Sequence, residues 1–190
     1  KYLAADVSKY EDVQKAIYLA MSTYGRVDVI IHNAGVMPTA NLIESRRNEW
    51  KEMLDINIMG VLNGIAAALP IMRKQKSGHI ISTDSVAGHV VYPGSAVYCG
   101  TKFAVRAIME GLRQEERENN IKSTIISPGA VRTDLYKTIS DKSVGEALHE
   151  SQKEVGLDSD DVAEAVVYAI ETPGQVSVSE VIIRPTKQVV

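Results

Sequence analysis

The chain has 190 residues, of which 45% are hydrophobic and 24% charged, a size and balance that fit one globular domain (1–190) with its own core. A net charge of −3 gives no electrostatic reason to expect nucleic acid or an anionic membrane as a partner. The single cysteine, Cys99, excludes an intramolecular disulfide and suits a reducing cytoplasm, where the protein is expected to reside.

Leu3–Val7 is short and apolar and reads as a strand, and the N-terminus lacks the basic-then-apolar pattern of a signal peptide. Ser8-Lys-Tyr-Glu11 has the form of a capping box. Val13, Ala16, Ile17, Ala20 and Tyr24 then repeat at helical spacing up to Gly25. Val27–Ile31 is a second strand, running into His32-Asn-Ala-Gly35. A long helical region covers roughly Asn48 to Lys74; its apolar run, Ile58–Met72, falls short of the ~18–20 residues that span a bilayer. Gly78–Ser82 is a third strand, Tyr98 to about Asn119 a helix, and Ser123–Ser127 a fourth strand closed by Pro128-Gly129. Leu135–Gly156 is an irregular polar stretch, with Tyr136, Ile139, Val144 and Leu148 placed where a substrate lid would lie, and reads equally as a plain surface loop with a short helix. Asp158 caps a last helix with Asp160 and Asp161 in its first turn, and Val176–Arg184 is the final strand. β-Branched apolar strands alternating with helices predict an α/β doubly wound domain on a parallel sheet.

The chemistry concentrates in Ser85 to Lys102. Tyr98 and Lys102 are i and i+4 on one helix face, so the ammonium is expected to lie near the phenol and favour its ionised form. Free tyrosine titrates near ~10, and a base at neutral pH needs that value lowered. With eight tyrosines in the chain, the pair alone arises easily by chance; its company gives it weight. Ser85, Asn33-Ala34-Gly35, Pro128-Gly129 and Asp6 each follow a strand end, and open parallel sheets bind ligands beyond those ends.

With Asp6-Val7, Asn33-Ala-Gly35, Asn57, Ser85, Tyr98-x-x-x-Lys102 and Pro128-Gly-x-Val-x-Thr133 in this order and spacing, the chain resembles the short-chain dehydrogenase/reductase family. Within it, Tyr98-x-Gly-Thr-Lys-Phe-Ala-Val105 and Glu180-Val-Ile-Ile-Arg-Pro-Thr186 are similar to an NADP-dependent serine and 3-hydroxy acid dehydrogenase subgroup. The resemblance implies a Rossmann-like fold and an NAD(P)-dependent oxidoreductase that interconverts a secondary alcohol and a carbonyl. It also implies a small-molecule substrate, NADP or NAD with the subgroup likeness favouring NADP, and a homodimer or homotetramer. Tyr98 would be the general acid/base, Ser85 the donor to the carbonyl oxygen, and Lys102 the group that lowers the Tyr98 pKa and holds the ribose. Asn57 would hold a water linking Lys102 to solvent. Asp6 and Val7 would border the adenine and Asn33, Ala34 and Gly35 the adenosine ribose. Pro128, Gly129, Val131 and Thr133 would hold the nicotinamide end.

The family's opening strand, glycine-rich turn, first helix and second strand do not appear, so the chain begins at what would be strand three. The strand Val27–Ile31 is therefore expected to have an exposed apolar edge. Two other readings use the same residues: a catalytically silent binding protein on this scaffold, and a sugar-nucleotide epimerase. Cys99 points about 100° away from Tyr98 and reads as a packed thiol. His32, His79, His89 and His149 lack metal-ligand spacing, Asp84 lacks a hydrolase elbow around it, and Glu115–Glu118 reads as a solvated helix end.

Overall fold

The computed structural model describes residues 1–189. Four parallel strands, β1 (Val29–His32), β2 (Gly78–Thr83), β3 (Ile121–Pro128) and β4 (Glu180–Ile183), lie in the order β1-β2-β3-β4. The register pairs Ile30 with Ile80, Ile80 with Ser123, and Ile126 with Val181. β2 and β3 are the interior strands, and their runs Gly78-His-Ile-Ile-Ser82 and Ser123–Pro128 are buried throughout. Continuous β-branched sequence forms such strands because both faces must be covered.

The helices are α1 (Tyr10–Tyr24), α2 (Arg47–Met53), α3 (Gly60–Gln75), α4 (Ala96–Glu115), α5 (Lys142–Val155) and α6 (Ser159–Glu171). The pleat divides the core in two. Ile80, Ile121 and Ile125 pack with Val13 and Ile17 of α1, Val61, Ala68 and Met72 of α3, and Val105 and Met109 of α4. Ile81 and Ile126, one residue out of phase, are fully buried on the opposite face, where α6 packs on β3. This is the doubly wound α/β architecture that the sequence predicts.

Several local expectations are corrected. Leu3–Val7 forms no strand: Leu3 is 46% exposed, and among the described residues no ladder lies beside it to satisfy its backbone. The Ser8 capping box is replaced by an Asp6 turn, in which Asp6 Oδ1 accepts both the Ser8 hydroxyl (2.7 Å) and the Ser8 backbone N–H (3.0 Å). Gly25 does end α1, at φ +76, donating its N–H to Met21 O. The 14-residue α5 occupies most of the stretch read as irregular, capped by Asp141, whose Oδ1 accepts from the N–H groups of Ser143 and Val144. Glu116 is not solvated. It is 1% exposed and accepts from Arg73 Nε at 2.9 Å and Asn119 Nδ2 at 2.8 Å, tying the ends of α3 and α4 together.

The long helical region is one continuous run, Arg47–Gln75, in which Leu54–Met59 form a π turn between α2 and α3. At 29 residues it passes, by length and composition, as a membrane span, unlike the shorter apolar run read from sequence. Here it lies against α1 and the sheet. The outer edge of β1 carries no strand among the described residues, and Ile31 is 46% exposed there, as the sequence leads one to expect.

Candidate active site

The carboxyl ends of β1, β2 and β3 open into one cleft of about 1190 Å³. Parallel strands end together, so the turns after them converge, which is why Asn33–Gly35, Thr83–Ala87 and Pro128–Val131 all line it. Helix α4 brings Tyr98 and Lys102 to the same wall, and α5 closes the far side with Val144, Leu148 and Gln152, spaced four apart on one face.

Ser85 leaves β2 in an extended conformation and its Oγ accepts the N–H of Ala87 at 3.1 Å, so its own proton remains free to be donated. Its side chain is hydrogen-bonded to that of Tyr98. Tyr98 is 5% exposed, and Lys102 Nζ lies 5.7 Å from its ring centre while donating to Thr83 O at 2.9 Å. The sequence thus brings the serine, the phenol and the ammonium together correctly.

The electrostatics run against the expectation. Burial pushes the Tyr98 phenol upward rather than down, with the Asp84 charge adding to the rise and the Ser85 hydrogen bond opposing it. Lys102 is lowered, because burial penalises its charge while Asp84 helps to keep it. A cation one turn along a helix lowers a phenol only if it outweighs desolvation, and here it does not. Tyr98 is therefore a protonated group at neutral pH, ready to act as an acid.

Asn57, in the π turn, is 2% exposed and spent on protein partners. Its Oδ1 accepts from Val36 N–H (2.9 Å), and its Nδ2 donates to Val36 O (2.9 Å) and to Thr101 Oγ1 (3.1 Å). Thr101 in turn donates to Tyr98 O at 2.7 Å. Thr101, unnoticed in the sequence, thereby couples Asn57 to the helix turn that carries Tyr98. Its one sequence signal is its place between Tyr98 and Lys102.

Asn33, Ala34, Gly35, Pro128, Gly129, Val131 and Thr133 all line the cleft. The Asn33 side-chain oxygen accepts from Thr83 Oγ1 at 3.0 Å. Gln188 Oε1 accepts from Ala130 N–H at 2.8 Å and lies where a Cβ on residue 129 would fall, so a side chain there would have to displace the Gln188 amide. Thr133 Oγ1 accepts from Leu135 N–H and caps the short turn Asp134–Thr138. Asp6 lies outside the cleft, on a separate depression with Asn48, Lys51 and Asp55. Val7 packs on Gly60, and its carbonyl accepts from Asn63 Nδ2 at 2.9 Å. Cys99 is fully buried, as a packed thiol should be. Among the described residues no three His, Cys, Asp or Glu side chains gather as metal ligands do.

A parallel α/β sheet with a serine, a tyrosine and a lysine at its carboxyl edge defines a class of nucleotide-linked oxidoreductases. The comparisons agree: a family model described as short chain dehydrogenase matches residues 1–144, and the chain belongs to that family. It is 55% identical over 185 residues to an uncharacterised oxidoreductase of Staphylococcus saprophyticus, covering 96% of this chain and 75% of the relative. It is 48% identical over 189 residues to one of Listeria monocytogenes, covering 98% and 76%. Among solved structures, a serine dehydrogenase complexed with NADP+ superposes with a TM-score of 0.91 at 28% identity, over 98% of this chain and 77% of that one. An alcohol dehydrogenase of the archaeon Thermococcus sibiricus, complexed with 5-hydroxy-NADP, gives 0.85 at 28% identity over 98% and 75%.

Proposed function

We propose that this oxidoreductase interconverts a secondary alcohol and a carbonyl with NADP as its nicotinamide cofactor. The observation that carries the reading is the buried, protonated Tyr98 hydrogen-bonded to Ser85 at the wall of the cleft. The cleft fits such a cofactor: its floor is made of the small turns Asn33-Ala-Gly35 and Pro128-Gly129, where backbone can lie close to a flat ligand. When bound, the nicotinamide supplies or removes the hydride.

In reduction, Ser85 Oγ donates to the substrate oxygen as charge gathers on it, and Tyr98 passes its proton to the same oxygen. Lys102 stands behind Tyr98, its ammonium anchored on Thr83 O and free to offer its other protons to the ribose. Asn33, Gly35, Val131 and Thr133 would hold the dinucleotide along the cleft they line, and Asn57 would hold the Tyr98 helix in register; Asp6 and Val7, outside that cleft, are left out of the adenine site. The NADP preference rests on the bound states of the serine and alcohol dehydrogenase structures. We place the protein in the cytoplasm, as a homodimer or homotetramer.

The test is a panel of alcohols, ketones and 3-hydroxy acids offered to the full-length protein with each cofactor. Tyr98→Phe is expected to lower turnover by roughly 10²–10⁴-fold while leaving NADPH binding, read by fluorescence, close to wild type. Because Tyr98 is pushed upward, alcohol oxidation should keep climbing with pH through the alkaline range while carbonyl reduction holds level at neutrality. Full activity in the phenylalanine variant overturns the assignment.

A further inference from the structure

Asp84 stands between Thr83, whose carbonyl accepts from Lys102, and Ser85, yet nothing in the reaction above uses it. It is 2% exposed and still lines the cleft. Its Oδ1 is buried with no hydrogen-bond partner, and Oδ2 receives a long hydrogen bond from Ser127 Oγ at 3.4 Å. Gly88 closes the remaining side, since a Cβ there would overlap Oδ2. A buried carboxylate with one bare oxygen is costly unless a cation acts on it, and Lys102, buried with its ammonium on Thr83 O, has the converse need.

The charged and titratable groups around Asp84 come from three directions. From α4 come Lys102, Arg106 and Tyr98, and from β4 comes Glu180. The turn after β2 supplies His89, whose Nε2 lies 3.0 Å from Ser127 Oγ and 3.1 Å from Glu180 Oε1. Arg106 donates to Glu180 Oε1 at 3.1 Å and to Gly88 O at 3.0 Å, so the Glu180 charge is already engaged. Lys102, anchored on the carbonyl of the residue before Asp84, is the buried cation whose charge acts most on it.

We propose that Asp84 is a positioning residue of this site, the buried counter-charge of Lys102, and that the site is competent only while Asp84 is ionised. It rests on the oxidoreductase reading. The ionised carboxylate holds the charge on Lys102 and holds the proton on Tyr98, the two states that carbonyl reduction requires. Burial raises the Asp84 carboxyl to about 6, with Lys102, the Ser85 backbone N–H and Arg106 pulling it down and Glu180 pushing it further up. Its charge is present above that pH and lost below it.

Two measurements on the full-length protein test this. In the first, ¹³C NMR of the side-chain carboxyls, with no substrate present, should show one group titrating near pH 6 that is missing in Asp84→Asn. In the second, kcat/KM for reduction by NADPH of whichever carbonyl compound the panel yields should fall on the acid side with a midpoint near 6. In Asp84→Asn that limb should vanish because kcat/KM stays at the depressed acid-side level throughout; a flat profile at wild-type activity overturns the proposal. In Glu180→Gln, which removes a like charge, the limb should move to lower pH. An acid limb that persists in Asp84→Asn, a midpoint indifferent to Glu180→Gln, or an Asp84 that titrates at the ordinary carboxylate value near ~4 overturns the proposal. If no carbonyl compound is reduced, the oxidoreductase reading fails, while the carboxyl titration still judges Asp84 on its own.

Discussion

At the scale of single residues, the site is held by a side chain that makes no chemistry. Thr101 is 1% exposed, accepts from Asn57 Nδ2 and donates to Tyr98 O. Valine has the same shape without the hydroxyl, so Thr101→Val strands a buried amide donor and should cost about 1–3 kcal/mol, read as a lower urea midpoint. Because the same hydroxyl anchors the turn bearing Tyr98, kcat should drop while cofactor affinity stays level; an unchanged kcat at reduced stability would limit Thr101 to packing. Ser85, Tyr98 and Lys102 were legible in the sequence because helical periodicity and strand ends fix their neighbourhood. The direction of the Tyr98 pKa was not, because it depends on how much protein covers the phenol, which no spacing reveals. Asp84 was passed over for the same reason: its environment is made by Gly88, Ser127 and Lys102, and the latter two lie 43 and 18 positions along the chain.

At the scale of elements, β2 and β3 could be read directly, since runs such as His79-Ile-Ile and Thr124-Ile-Ile suit only a strand buried on both faces. Leu3–Val7 has a single β-branched residue, Val7, and no neighbour to pair with among the described residues, so it forms no strand. The full 14-residue length of helix α5 was not legible because only Val144 and Leu148 mark its inner face, and its third inward position, Gln152, is polar. The outer faces of α2–α3 and α4 show a different pattern. Leu54 and Met59 are 47% and 45% exposed, and Phe103 on the adjacent α4 is 40% exposed, although these helices also supply the main core. Apolar side chains repeated on neighbouring helices suit burial against a second copy. Light scattering of the full-length protein at micromolar concentration should give at least twice the monomer mass, and Phe103→Glu should shift it toward monomer. A wild-type monomer refutes the assembly.

At the scale of the whole molecule, buried His79 and Asp84 and part-buried His32 dominate how folding responds to acid between pH 7 and 4. His79 Nε2 lies 2.7 Å from Thr124 Oγ1, whose own proton goes to Val178 O, so the imidazole donates there and is neutral. His32 lies against Gly64 with Nε2 buried and unpartnered. Burial lowers both histidines to about 4, the Lys122 charge adding to the effect at His79. Their folded values lie below the unfolded ~6.5, so their contribution is complete above that pH and is lost as pH falls through 4. Asp84 works in the other sense: its folded value of about 6 lies above the unfolded one, so its contribution is present in acid and lost as pH rises. Two histidines against one carboxyl leave a net loss on the order of 4 kcal/mol between pH 7 and 4, at ~1.4 kcal/mol per proton and pH unit. Urea midpoints measured across that range should fall accordingly. His79→Gln keeps a donor for Thr124 and cannot titrate, so it should leave the curve nearly level, one histidine then balancing Asp84. A wild-type midpoint that does not change from pH 7 to 4 would mean that the imidazoles take up protons without leaving the core.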